Sequence, residues 1–266
     1  MLKQASDFRD ESEALYGLLS TLRDDDFNAP TQFKEWTAND VLGHLHMWNW
    51  AADLSLNDED GFLVFMKDVM SAFGSGGMRK FECDWRKGLS GKALLEAWWE
   101  FCAPMSECFE SADPKARVQW AGPDMSVRSS ITARLMETWA HGQALYDLLG
   151  VQRQDSDRIQ NIAILGVNTF GWAYKNRGLA IPDAVPMVRL SAPSGGTWEL
   201  NAENTTDCIE GSATEFCQVV TQVRNIADTT LDVRGETATQ WMSLAQCFAG
   251  PPENPPAPGT RFAQKR

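Results

Sequence analysis

Arg134-Leu135-Met136-Glu137-Thr138-Trp139-Ala140-His141-Gly142-Gln143 places a carboxylate and an imidazole four residues apart. On a helix that spacing puts both side chains on one face, one turn apart. Around them Ile131, Leu135, Thr138, Gly142, Leu145 and Leu149 recur at alternating steps of four and three, which marks the seam of a helix packed into a bundle. At ~100° per residue, Arg134, Glu137, His141, Ala144 and Leu148 share the strip beside that seam. A carboxylate at such an edge must be paired, neutralised or bound to a metal.

The chain has only three histidines. The other two lie in Asp40-Val41-Leu42-Gly43-His44-Leu45-His46, about 200° apart on a helix, so they cannot both address one ion. His44 shares its face with Val41, Trp48 and Ala51, whereas His46 falls among Asn39 and Asn49. The working expectation is a three-ligand metal site between two helices, with His44 completing the Glu137 and His141 pair. Spacing alone leaves a plainer reading open, in which Glu137 pairs with Arg134 and the histidines are half-buried polar residues.

Working outward, Thr37 with Asp40 three residues on reads as a capping box opening a helix that carries His44 towards Leu56. Leu2 to Leu22 reads as an earlier amphipathic helix buried through Phe8, Leu15, Leu18, Leu19 and Leu22, ending at Asp24-Asp25-Asp26. A shorter apolar helix, Phe62 to Phe73, precedes the Gly74-Ser75-Gly76-Gly77 turn. Ser90 is placed to cap a third long helix, Gly91 to Ser111, and a fourth begins after Pro123 and ends at Gly150. Four long helices over residues 1–150 predict an up-down four-helix bundle.

Beyond Gly150 the pattern changes. One helix is expected from Ser156 to Asn176, then strands at Met187 to Ser191, Thr197 to Leu200 and Thr230 to Val233, with helical stretches at Ala213 to Arg224 and Glu236 to Phe248. Residues 151–250 therefore read as a smaller α+β domain, and the proline-rich residues 251–266 as an extended tail.

With 266 residues, 43% of them apolar, the chain can bury a substantial core. Its 24 basic and 36 acidic residues give a net charge of −12, which argues against nucleic acid or an anionic membrane as partner. The charged N-terminal stretch lacks the apolar core of a signal peptide, no run approaches the ~18 apolar residues of a membrane span, and the six cysteines show no Cys-x-x-Cys spacing. The expectation is a cytoplasmic protein with reduced, packed thiols. The spacing leaves the choice between monomer and homodimer open.

Trp36-Thr37-Ala38-Asn39-Asp40-Val41-Leu42-Gly43-His44-Leu45 and the stretch from Arg134 to Gln143 resemble the two halves of the metal site in the DinB-like bundles, specifically the mycothiol-dependent maleylpyruvate isomerase family. The segments Val188 to Gly196, Phe216 to Asn225 with Asp228-Thr229, and Trp241 to Pro252 resemble the sterol-carrier-like C-terminal domain of a subgroup of that family. The resemblance implies His44, Glu137 and His141 as ligands of a divalent metal, usually zinc. It also implies a low-molecular-weight thiol, mycothiol or glutathione, acting with a small electrophilic substrate in an isomerase or transferase reaction. Arg224 resembles a basic, cleft-facing position of relatives and is the candidate catalytic cation, with a surface pairing to Asp228 as the alternative. Relatives often carry an acid three residues after the last histidine, where this chain has Ala144. That departure keeps two alternatives in view, a metal-dependent hydrolase using bound water and a non-catalytic metal-binding or stress module. Trp48, Trp98, Trp99 and Trp139 are expected to be mainly core, with a pocket wall as the second possibility.

Overall fold

Thr37 turns the chain into the helix that carries His44. Its Oγ1 accepts the Asp40 backbone N–H at 3.2 Å, and Asp40 Oδ2 accepts the Thr37 N–H at 2.9 Å. This reciprocal cap satisfies two donors that a helix start would otherwise leave orphaned. In the computed structural model, which describes residues 1–73 and 77–264, the chain divides into two compact units, Met1–Leu148 and Leu149–Arg266.

The first unit holds α1 (Lys3–Leu19), α2 (Ala38–Asn57), α3 (Glu59–Phe73), α4 (Met78–Trp85), α5 (Gly91–Ser111), a small hairpin β1 (Arg117–Val118) and β2 (Met125–Ser126), and α6 (Val127–Leu149). α1 packs on α5 and α5 on α2, while α6 meets α2 where the His44 and His141 rings approach to 4.6 Å. The α6 seam is buried as its spacing predicts, with Ile131, Leu135 and Thr138 wholly inaccessible, and Gly150 ends that helix at φ +61. Trp98 and Trp139 are fully buried core.

Several expectations change. The first helix stops at Leu19, leaving Leu18 and Leu22 only half-buried, while Asp7, Glu11 and Ser12 are buried instead. Ser90 occupies the start of α5 without a side-chain capping bond. Asn39 Oδ1 and Asp24 Oδ1 accept the Gly91 and Lys92 N–H groups at 2.7 and 2.8 Å, so the cap comes from residues distant in sequence. The helix α4, unforeseen, crosses α2 and α3, with Phe65, Phe81, Trp50 and Trp85 packed together. Apart from Gly77, which precedes α4 at φ +85, the glycine turn lies outside the described residues.

In the second unit, α7 (Gln160–Asn168) and α8 (Phe170–Lys175) replace the single helix expected. The break falls at Thr169, whose Oγ1 donates to the Leu165 carbonyl at 2.8 Å. The strands β3 (Met187–Ser191), β4 (Thr197–Leu200), β5 (Cys208–Ser212) and β6 (Asp232–Arg234) form one sheet in the order β4-β3-β5-β6. β3 runs antiparallel to β4 and parallel to β5, and β6 runs antiparallel to β5. Between β5 and β6 lies α9 (Ala213–Val220), which packs on β3, β5 and α7; Phe216, Cys217 and Val220 on it and Val188, Leu190 and Ile209 on the strands are all buried, and α10 (Glu236–Leu244) follows.

β5 was not expected, and β6 starts two residues later than Thr230, whose N–H and Oγ1 go to the Glu215 carboxylate. α9 ends before Gln222, which takes φ +56, and α10 ends at Leu244. The stretch after Ala249 forms no helix or strand among the described residues, but it is tied down: Asn225 Nδ2 donates to Pro256 O and Arg261 Nη1 to Gln222 O, each at 2.8 Å. No described helix is long and apolar enough to cross a membrane.

No described cysteine is in a disulfide; Cys102, Cys208, Cys217 and Cys247 are buried and Cys108 half-buried, but Cys83 is exposed, against the expectation of packed thiols. Burial, opposed by hydrogen bonds with Ser12 and Asn49, pushes the Cys102 thiol up to about 12. At pH 8 a thiol reagent is expected to modify Cys83 first and to reach Cys102 and Cys217 only on unfolding, as peptide mapping would register. Because the Cys102 pKa is raised in the folded state, its linkage term is fully favourable below ~9 and declines as pH rises from there towards 12. A Cys102→Ser variant, read by melting at pH 8 and 10, is expected to lose less stability across that step than the wild type.

Candidate metal centre

α2 and α6 bring His44, Glu137 and His141 together, with one donor atom from each within 4.8 Å of the others. Glu137 Oε2 stands 3.1 Å from His141 Nε2 and 3.5 Å from His44 Nε2. The other oxygen, Oε1, faces Arg134 Nη2 at 3.8 Å. The carboxylate thus turns one oxygen to the imidazoles and one to a guanidinium that is 4% exposed and lies over the Trp120 ring. The plain ion-pair reading is therefore present in the same geometry as the three-donor cluster. The three side chains are 14–17% exposed, so the cluster is sheltered yet reachable.

His44 Nδ1 lies 2.8 Å from Glu82 Oε1, the same oxygen that accepts the Trp48 indole N–H at 3.1 Å. A carboxylate can only accept there, so Nδ1 carries the proton and the lone pair of the neutral ring sits on Nε2. That Nε2 is buried and has no hydrogen-bond partner, Glu137 being too far for one. An inward-facing acceptor without a donor, beside a second imidazole and a carboxylate, fits a divalent ion with nitrogen and oxygen ligands, zinc among them.

Without an ion, the surrounding carboxylates favour a proton on the His44 ring, which an ion would have to displace. Burial disfavours the charged imidazole of His44, but Glu82 and Glu137 outweigh it and raise its pKa to about 9. Burial keeps His141 below its ordinary value, against the pull of Glu137. Burial also opposes ionisation of Glu137, yet the adjacent imidazoles of His141 and His44 and the charge of Arg134 hold it well below the usual carboxylate range.

An aromatic wall flanks the cluster. Trp36 stacks on the His141 ring at 5.4 Å with 3° between the planes, and Phe33 meets the same ring edge-on at 5.1 Å. Both come from a turn in which Lys34 and Glu35 take φ +50 and +57, a left-handed conformation that costs energy for residues other than glycine. Of the tryptophans expected, Trp48 is at the site, in contact with His44 and Trp120, and Trp99 instead stacks on Tyr16.

His46 is turned away, edge-on to Trp85 and Phe101. Asp147 accepts from Gln143 Nε2 at 3.0 Å. Ala144 provides no acid, and the carboxylate that supports a candidate ligand comes instead from Glu82 on α4. Arg224 belongs to the second unit, where its Nη1 donates to the Val223 carbonyl at 3.3 Å. Glu82, Phe33 and Trp120 escaped the sequence reading, and Trp36 entered it only as the first residue of the stretch resembling the family's metal site. The only signal for Glu82 was its place beside Met78, Phe81 and Trp85, an apolar strip too short to stand out.

Residues 8–146 match the mycothiol maleylpyruvate isomerase N-terminal domain. The proteins MT0041 and Rv0036c of Mycobacterium tuberculosis, from strains CDC 1551 / Oshkosh and ATCC 25618 / H37Rv, are each 35% identical over 247 residues, spanning 93% of this chain and 95% of theirs. The crystal structure of the mycothiol-dependent maleylpyruvate isomerase shares the fold with TM-score 0.53 at 14% identity, covering 82% of this chain and 87% of that one. A histidine-to-alanine mutant of that enzyme gives 0.52 at 15% identity.

Proposed function

The chain belongs to the mycothiol maleylpyruvate isomerase family, and from that premise we propose that it is a divalent-metal enzyme working with a low-molecular-weight thiol as an isomerase or transferase. The observation that carries this reading is the convergence of His44, Glu137 and His141 around a buried, partnerless imidazole nitrogen. A divalent ion held by those three residues, zinc by preference, would leave a position open to a thiol such as mycothiol or glutathione and lower its pKa. The chain's own groups do the rest. Glu137 supplies the ligand charge, and His44 and His141 supply neutral nitrogens. Phe33 and Trp36 keep water from one side of the cluster and offer an apolar surface to a small electrophilic substrate. Arg224 is the proposed cation for an anionic part of the thiol or the substrate. Ala144 favours a second reading, a metal-binding protein that hydrolyses its substrate with water or has no turnover at all.

The test is metal content of purified wild type and of His141→Ala, followed by addition of mycothiol or glutathione to the cobalt-loaded protein. We expect one ion per chain, its loss in the variant, and a change in the cobalt spectrum on adding thiol. Absence of metal from the wild type after zinc loading would sink the reading. Metal without a thiol response would turn it towards the hydrolase or the binding module.

A further inference from the structure

Glu82 is a carboxylate only 5% exposed, on a helix whose neighbouring residues are exposed or half-buried, and it makes two hydrogen bonds to a pair of residues one turn apart on α2, His44 and Trp48. Burying a carboxylate is expensive unless its interactions repay the lost hydration. Here they fix one imidazole in one tautomer. Trp48 holds the accepting oxygen from the other side, so the carboxylate cannot swing away without also orphaning the indole N–H. The approach of α4 to α2 is itself close: a Cβ on Gly43 would lie 2.5 Å from Arg86 Cδ, and Arg86 Nη1 donates to Asn39 O at 2.8 Å. Gly43, directly before His44, thus leaves room for the Arg86 side chain, whose hydrogen bond to Asn39 ties the end of α4 to α2.

We propose that Glu82 is the positioning residue of the metal centre, holding His44 with Nδ1 protonated and Nε2 directed at the ion. The inference rests on the metal reading above. A carboxylate behind a ligating histidine both orients the ring and makes it a stronger donor. Glu82 therefore acts through His44 and touches neither ion nor substrate.

The test compares zinc affinity, by competition with a chromophoric chelator, in wild type, Glu82→Gln and Glu82→Ala, with far-UV circular dichroism to establish that each is folded. Glutamine can still accept from Nδ1 but lacks the charge, so its affinity is expected to fall about tenfold; alanine loses bond and charge, and about a hundredfold loss is expected. The second readout is the nitrogen-15 and proton spectrum of His44 at saturating zinc. The wild type and Glu82→Gln should show a slowly exchanging Nδ1 proton and zinc on Nε2. Glu82→Ala should lose that proton signal. A purely structural role for Glu82 would lower the melting temperature without grading affinity by charge or changing the proton. Folded variants that bind zinc as the wild type does overturn the inference and leave the metal centre intact. A wild type that binds no zinc overturns both.

Discussion

Glu137→Gln is expected to weaken divalent-metal binding by more than about a hundredfold, since loss of a direct ligand must exceed the roughly 10–100-fold cost of losing an outer partner. The substitution keeps the shape of the side chain and removes its charge. Two effects then separate. Facing the imidazoles, Oε2 is the donor nearest both rings, at 3.1 and 3.5 Å, so the loss there falls on metal binding. Facing Arg134, Oε1 is the nearby counter-charge of a guanidinium whose Nε and Nη1 are buried without hydrogen-bond partners. Removing that charge leaves a buried cation, a class of change that costs roughly 3–5 kcal/mol. At 3.8 Å, with Glu137 17% exposed and Trp120 lying against the cation, the lower end, about 3 kcal/mol, is expected here. A double variant, Glu137→Gln with Arg134→Leu, should regain much of that stability in chemical denaturation and none of the zinc affinity. Recovery of metal binding in the double variant, or wild-type affinity in the single one, would show that Glu137 is an ion-pair residue and no ligand.

The two helices that carry the histidine and glutamate cluster were legible because their signals are local. A Thr37 cap with Asp40 three residues on, a four-three apolar seam ended by Gly150, and a Glu-x-x-x-His pair beside it are all written within single helices. Helical angle separated His44 from His46, the residues sharing each face decided between them, and the two rings do face different surroundings. What escaped is non-local. Asn39 and Asp24 cap α5 from other elements, so Ser90, the obvious residue, misled. Glu82 reads as one more acid in an 8-residue helix, and only the approach of α4 to α2 turns it into a partner of His44. The turn that sets Trp36 on His141 has no glycine at Lys34 or Glu35, so nothing in its composition announces the left-handed backbone. β5 likewise contains a single branched apolar residue, Ile209, and owes its place to the two strands beside it.

Metal loading is expected to raise the melting temperature strongly, and the reason lies in what occupies the cluster otherwise. Without an ion, the proton on His44 is what moderates Glu82 and Glu137, which is why that imidazole holds it up to about pH 9. A folded-state pKa raised above the ordinary 6.5 contributes stability fully present below ~6.5 and lost as pH climbs through about 9. An ion does the same work with two charges but must first displace that proton, because ligating histidine is neutral. Apparent affinity should therefore rise about tenfold per pH unit from 7 towards 9 and level off beyond, with close to one proton released per ion at pH 7. Free zinc at a thousand times its Kd stabilises by about 4 kcal/mol. At about 2–4 °C per kcal/mol for a unit of this size, that is about 8–16 °C. Scanning calorimetry of zinc-loaded and chelator-stripped protein checks the size of the shift, and titration calorimetry in buffers of different ionisation enthalpy counts the proton. The stripped protein should lose this contribution between about pH 6.5 and 9, where the loaded one does not. A shift no larger than that of His44→Ala under the same conditions would mean that zinc acts elsewhere on the chain.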